Sequence, residues 1–249
     1  MEWNDTALVL QTGQFREADL WVRLFSQSRG VFTAFAFGGS RSRRRFCGCL
    51  DVFNVLSCRC KTTAYGKYVN LEEAVLLRAP QRLRTDWSRM GLAVNCARFA
   101  EALGIGSDSA AGAYAVFIDL LRLLEGSAPL PVLLPLFFRL RMASEIGFAP
   151  ALHQCAACGK AVQGAALFLV NEGLVRCEEC GGGSSPYAVP LPAAGLALLQ
   201  AVQQQSPTVW GRYALSLPIA ERRACARAID GFVQYHLGIA WEEGRFRKV

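Results

Sequence analysis

Residues 155 to 180 read CAACGKAVQGAALFLVNEGLVRCEEC and place four cysteines in two Cys-x-x-Cys pairs. Few local patterns restrict a fold as firmly. Each pair can turn two thiolates toward one tetrahedral ion, and the 18 residues between the pairs, folded as a hairpin, bring the turns together. Gly159 and Gly181 each follow a cysteine, where tight knuckle turns need backbone freedom. The spacing predicts a structural Zn2+ held by Cys155, Cys158, Cys177 and Cys180. Four thiolates fill zinc's coordination sphere and leave no position for water or substrate, so such a metal holds shape. A zinc deaminase would need His-x-Glu upstream, but the residue two after His153 is Cys155. A thioredoxin-like redox site carries one such motif, not two.

Cys47, Cys49, Cys58 and Cys60 form two Cys-x-Cys pairs. If residues 46 to 61 form one strand, the pairs face opposite sides and behave as small buried hydrophobes. Cys96 and Cys225 lie in helical stretches and read as core.

Hydrophobic residues make up 52% of the chain, enough for a packed core. No apolar run reaches membrane-spanning length. The most apolar region, Ala110 to Leu140, is broken by Asp119, Arg122, Glu125, Pro129, Pro131 and Pro135 and reads as buried helices. The N-terminal MEWNDTALVL carries acidic residues where a signal peptide needs basic ones. A cytoplasmic protein without membrane attachment is expected, and cytoplasmic thiols stay reduced. The net charge is +7, which suits a polyanionic partner. The positive excess is densest in the first 80 residues, with eleven lysines or arginines against seven acids.

Those residues read as all-β. In ADLWVRLFS, Leu20, Val22 and Leu24 alternate with polar or exposed positions, the period of a half-buried strand. ALVLQT, VFTAFAF, CLDVFNVLSCRC and YVNLEEAVLL supply four more strands, the last two separated by KTTAYGK with Gly66 in the turn. Five short strands in about 80 residues fit a small barrel of the OB type better than a sandwich. From Pro80 the period becomes helical. In DWSRMGLAVNCARFAEALG, Met90, Val94, Ala97 and Leu103 fall near one face. SAAGAYAVFIDLLRLLEG is a second helix, and PVLLPLFFRLRMASEIG a third with Pro131 near its start. After a flexible GGGSSP come two more, PAAGLALLQAVQQQ and PIAERRACARAIDGFVQYHLG. The expected fold class is α+β: an OB-fold barrel over 1–80, then an all-helical domain over 81–249 with a four-cysteine zinc finger inserted at 151–187.

The stretch GGSRSRRRF, residues 38 to 46, sets Arg41, Arg43, Arg44 and Arg45 between two strands. Such a loop on a small barrel reads as a phosphate-contacting surface, helped by Arg16 and Lys67, with Phe46 placed to stack a base.

The sequence also resembles the bacterial RecO recombination mediators along nearly its whole length. ALVLQTGQFREADLWVRLFSQSRGVFTAFAFGGSRSRRR follows that family's order of first strand, Glu17-x-Asp19, strand, Gly30, strand and Gly-plus-basic loop. LDVFNVL and LEEAVLL match later barrel strands. FFRLRMASEIGFAPALHQCAACGK matches its helix-to-cysteine junction, and FVQYHLG, with His236, its last helix. The resemblance implies binding of single- and double-stranded DNA and annealing of complementary strands. It implies work with the RecR partner to load RecA onto strands coated by single-stranded-DNA-binding protein, and residence with the nucleoid. It also implies that the helical domain binds the acidic, apolar tail of the single-stranded-DNA-binding protein. FFRLRM offers Arg139 and Arg141 for the tail's carboxylate, beside Phe137 and Phe138.

No enzyme activity is expected. The chain has no G-x-x-x-x-G-K-[ST] loop, no nucleophile elbow and no His-Glu-x-x-His helix, and only two histidines, His153 and His236. The competing readings are a zinc-ribbon RNA-binding or transcription-associated factor, since OB barrels also serve RNA, and a metal-assisted hydrolase.

Overall fold

Strand β1 (Glu2–Gln14) is long enough to pair twice. In the computed structural model, which describes residues 1–63, 66, 68–181, 186–214 and 217–249, its first half runs antiparallel to β4 (Val55–Thr62) and its second half to β2 (Leu20–Ser26). The register shift between Val9 and Gln11 falls where the β2 ladder is under way, and such irregularities bend a strand. β2 pairs with β3 (Gly30–Ala36), β4 pairs with β5 (Val69–Arg78), and β3 meets β5 in a short parallel contact at Ala34–Val69 and Phe35–Asn70. The ladder thus closes in the order β1-β2-β3-β5-β4.

A ring this narrow has little room inside, and the sequence supplies mostly small or slim residues for it. Ala7, Val9, Val22, Ala34, Ala36, Leu56, Cys58, Cys60, Leu71 and Ala74 fill the interior. Phe46, Cys49 and Leu50 reach the same core from the segment between β3 and β4. That segment differs from the expected long strand. Residues 46 to 54 form turns, with Cys47 and Phe53 at positive φ, and β4 begins only at Val55. Cys49, Cys58 and Cys60 are buried while Cys47 is exposed. Cys58 and Cys60, two apart on β4, face inward together and share a thiol–thiol hydrogen bond that pushes Cys60 up strongly.

The chain divides into two compact units, Met1–Trp87 with Gly104–Ala115 and Ser88–Leu103 with Val116–Val249. Within the first, Phe25 meets Tyr114 edge-on at 5.6 Å. Tyr114 belongs to α2 (Ser107–Glu125), whose buried Ala110, Ala113, Phe117, Leu120, Leu121 and Leu124 recur at helical spacing.

The second unit contains α1 (Trp87–Leu103) from Ser88 onward, the later turns of α2, α3 (Leu134–Glu145), α4 (Ala193–Gln204) and α5 (Ile219–Leu237). The buried face of α1 is Ala93, Cys96, Ala97, Phe99 and Ala100; Met90, Val94 and Leu103 are only half-buried, so the expected face is rotated. Alanines weigh little in a periodicity judged by side-chain size, so a face built largely of them is missed. Arg89, also buried, donates to the carbonyls of Leu124 and Ala128, both at 2.9 Å, a favourable place for a cation at the end of α2. α3 starts at Leu134 with Pro135 in its first turn, later than expected, and Pro131 lies ahead of it. Phe117 and Phe99 both meet Phe138 edge-on, and Phe137 meets Trp210 at 5.8 Å.

The unit is not all-helical outside the cysteine segment. β6 (Ala151–Cys155), β7 (Ala166–Leu169), β8 (Leu174–Cys177) and β9 (Ala188–Leu191) form a sheet in the order β6-β8-β7-β9. Its edge strand β9 extends past the expected limit at 187. A C-terminal hairpin, β10 (Ile239–Glu242) and β11 (Arg245–Lys248), follows α5. Its two-residue turn, Glu243-Gly244, has positive φ at both positions, the backbone that matches strand twist. Residues 64, 65 and 67 of the expected β4–β5 turn, Lys67 among them, and 182–185 of the expected linker lie outside the described residues. No helix among the described residues is long and apolar enough to cross a membrane.

Candidate metal centre and nucleic-acid surface

The four cysteines of the double Cys-x-x-Cys pattern converge. Cys155 ends β6 and Cys158 follows in the turn; Cys177 ends β8 and Cys180 closes the single 3-10 turn Glu178–Cys180. The β7–β8 pairing and the parallel contact of β6 with β8 bring the turns together. All four Sγ atoms lie within 4.8 Å of one another, and Sγ of Cys158 is 3.9 Å from that of Cys177. Thiolates at about 2.3 Å from a tetrahedral ion stand about 3.8 Å apart, so the donor set fits a metal ion. Gly159 takes φ +72 and donates to the Cys155 carbonyl, closing the first knuckle. Gly181 does not repeat this. Its φ of −76° is one any residue adopts.

The thiols are unequal. The backbone N–H of Cys177, 3.4 Å from Sγ of Cys155, and then that of Cys158 hold the Cys155 thiol down at about 6. Hydrogen bonds that the Cys180 thiol donates to the sulfurs of Cys177 and Cys158 push it up to about 12. Neighbouring thiolates resist joint ionisation, and a bound cation relieves that. The remaining cysteines form no such group among the described residues. Burial pushes Cys49 up to about 11, Cys96 to about 12 and Cys225 to about 11, as expected of unreactive core thiols.

On the barrel, the Glu17-x-Asp19 motif organises the basic loop. Oδ1 of Asp19 accepts the Gly38 N–H at 2.7 Å, and Glu17 pairs with Arg41 at 3.0 Å. Arg45 turns back to the Phe37 carbonyl. Arg43 and Arg44 are exposed and make no side-chain ion pair among the described residues. Phe46 is fully buried in the barrel core and offers no face to a ligand.

Other aromatic side chains stand outside. A groove of about 490 Å³ is lined by Phe15, Arg16, Phe35, Phe37, Tyr68 and the polar Thr63 and Asn70. Phe15, Phe37 and Tyr68 are 48%, 44% and 51% exposed. Phe35 lies between two of them, 5.0 Å from Phe15 and 5.9 Å from Tyr68, and the Arg16 guanidinium lies 5.3 Å from the Phe15 ring. The sequence held one signal for this. In VFTAFAF, Ala34 and Ala36 share one face and Phe35 and Phe37 the other; a narrow barrel takes the alanines inside.

In the second unit both arginines of the tail-binding expectation, Arg139 and Arg141, are held in ion pairs. Arg139, 14% exposed in its side chain, pairs with Asp230 at 2.9 Å, and Arg141 pairs with Glu145 one turn on. Phe137 and Phe138, the apolar partners expected beside them, are buried. An apolar groove of about 780 Å³ does open between the finger sheet and α5, walled by Leu167, Leu191, Ala220 and Ala224, with Arg227 at its side.

Comparison with known proteins agrees across the chain. Residues 1–79 match the model for the N-terminal domain of recombination protein O, and residues 84–244 the model for its C-terminal domain. The DNA repair protein RecO of Nitratidesulfovibrio vulgaris is 49% identical over 254 residues, that of Oleidesulfovibrio alaskensis 43% over 253, and that of Lawsonia intracellularis 41% over 251. Each alignment covers 100% of both chains. With both halves matched and this identity along its full length, the chain belongs to the RecO family of DNA repair proteins.

Proposed function

We propose that this chain is a non-enzymatic mediator of recombinational DNA repair: it binds DNA through an OB-type barrel, anneals complementary strands, and works with RecR to help load RecA onto strands coated by single-stranded-DNA-binding protein. The observation that carries the DNA reading is the outer face of the barrel, where an arginine loop and an aromatic-lined groove adjoin the same strand, β3. The strand order β1-β2-β3-β5-β4, with its parallel β3–β5 contact, supports the OB assignment. Two DNA strands repel through their backbones. Arg43 and Arg44, exposed and without an acidic partner among the described residues, can neutralise phosphates and let the strands meet. Such contacts are tolerant of sequence, as a general annealing factor requires.

Zn2+ is the ion that the thiolate set suits best, and it would close the finger as a structural element. For the acidic, apolar tail of the single-stranded-DNA-binding protein, the groove beside Arg227 is a better-shaped receptor than Arg139 and Arg141, because its apolar walls are open.

The test is annealing of complementary oligonucleotides without ATP, on bare strands and on strands coated with single-stranded-DNA-binding protein. The proposal expects acceleration over spontaneous pairing in both cases. A rate equal to the spontaneous one, or an absolute need for nucleotide hydrolysis, would overturn it.

A further inference from the structure

We infer that the groove formed by Phe15, Phe35, Phe37 and Tyr68 is a stacking site for unpaired bases, so that the barrel prefers single-stranded to duplex DNA. This rests on the DNA-binding reading above and adds a second, non-ionic component to it. Phe15, Phe37 and Tyr68 each leave about half of their surface in water, and all three line one concavity. Aromatic surface left exposed in a concave site marks a ligand surface. The groove's 490 Å³ lies within the range of about 300–1,000 Å³ typical of pockets that take small ring-shaped ligands.

The geometry favours bases over other flat ligands. Phe15 and Tyr68 are inclined to Phe35 by 59° and 78°, so neither is stacked face to face on that ring. Phe15 and Arg16 come from the β1–β2 loop, Phe35 and Phe37 from β3 and the residue after it, and Tyr68 from the residue before β5. Arg16 sits at the Phe15 ring, and Arg45 is fastened to the carbonyl of Phe37, so the groove opens beside the basic loop. The nearby carboxylates are engaged, Glu17 by Arg41 and Asp19 by the Gly38 N–H. The rim therefore favours an anionic backbone while the floor favours a ring face, which is the pairing single-stranded nucleic acids present. A duplex keeps its ring faces stacked inside and cannot enter without unpairing.

The experiment compares wild-type protein and the variants Phe15→Ala, Phe37→Ala, Tyr68→Ala and Phe15→Ala/Tyr68→Ala by fluorescence anisotropy. The probes are an oligothymidylate, a strand of the same length carrying abasic sites throughout, and a duplex. Each single variant should weaken oligothymidylate binding by about 5- to 150-fold, with the salt slope and duplex affinity unchanged. Wild-type protein should bind the abasic strand more weakly than oligothymidylate, a comparison that needs no variant to fold. Equal wild-type affinity for the abasic strand and oligothymidylate, or a double variant that binds oligothymidylate as wild type does, would overturn the stacking site and leave the phosphate-binding reading standing. Failure of wild-type protein to bind any of the three probes would overturn both.

Discussion

Sγ of Cys158 stands 3.9 Å from Sγ of Cys177, although the two come from separate knuckles 19 residues apart. That separation is close to the edge of a thiolate tetrahedron around zinc, about 3.8 Å. Protein purified without chelator should carry about one zinc per chain by elemental analysis. In isolated finger peptides such a metal supplies folding free energy on the order of 10 kcal/mol, and here the packed helices share that role. Cys158→Ser or metal removal should therefore lower the thermal midpoint of the helical unit while leaving oligonucleotide affinity near wild type. Because the ligands bind as thiolates, zinc retention should weaken as pH falls. Zinc-free protein with an unchanged melting curve would contradict this.

Arg139 and Asp230 form an ion pair with one partner mostly enclosed and the other half-exposed. The Arg139 guanidinium also lies 5.7 Å from the Phe246 ring of the C-terminal hairpin. Arg139→Ala should destabilise the second unit by about 1–2 kcal/mol, between the values for surface and buried pairs. Urea or thermal melts would show it as a lower midpoint. A tail peptide from the single-stranded-DNA-binding protein should bind that variant unchanged at temperatures where it is folded.

Gly30 opens β3 at φ +76, and a Cβ there would lie 2.0 Å from the Ile105 carbonyl oxygen, which also accepts the Val31 N–H at 2.9 Å. No side chain can shift to relieve a clash with backbone. Gly30→Ala should cost more than about 2 kcal/mol in a denaturant titration of the whole protein. A cost below about 0.5 kcal/mol, the scale of an ordinary surface change, would mean that the close approach does not exist in solution.

What the sequence made legible was local. The double Cys-x-x-Cys pattern names its four donors because chemistry and spacing coincide within 26 residues. The strand runs were readable for the same reason, since Val22 and Leu24 alternate with Trp21 and Arg23 over neighbouring positions. The aromatic groove was readable only in the alternation of VFTAFAF, which sets Phe35 and Phe37 opposite Ala34 and Ala36. Phe15, Phe35 and Tyr68 are distant in sequence: the β1–β2–β3 pairing brings Phe15 to Phe35, and the closure of β5 against β3 brings Tyr68. Phe46 misled through adjacency: it follows three arginines, yet the chain turns there and sends the ring into the barrel core. The ion pairs of Arg139 with Asp230 and of Arg141 with Glu145 were equally hidden, because the Asp230 partner is 91 residues away and both pairs show only once the helices form and pack. The C-terminal hairpin escaped notice because Glu-Gly is a weaker turn signal than Asn-Gly or Asp-Gly.

The salt dependence of single-strand binding tests the central claim most directly, that the barrel loop holds DNA by its phosphates. Arg41 is engaged by Glu17 and Arg45 by the Phe37 carbonyl, which leaves Arg43 and Arg44 as the readiest contacts. Each phosphate neutralised on a single strand adds about 0.7 to the slope of log affinity against log salt. Binding of an oligothymidylate by Arg43→Ala/Arg44→Ala should weaken and show a slope flatter by about 1.4, with an unchanged melting temperature. Wild-type and variant lines of equal slope and equal affinity would contradict the account and move the DNA contacts elsewhere on the chain.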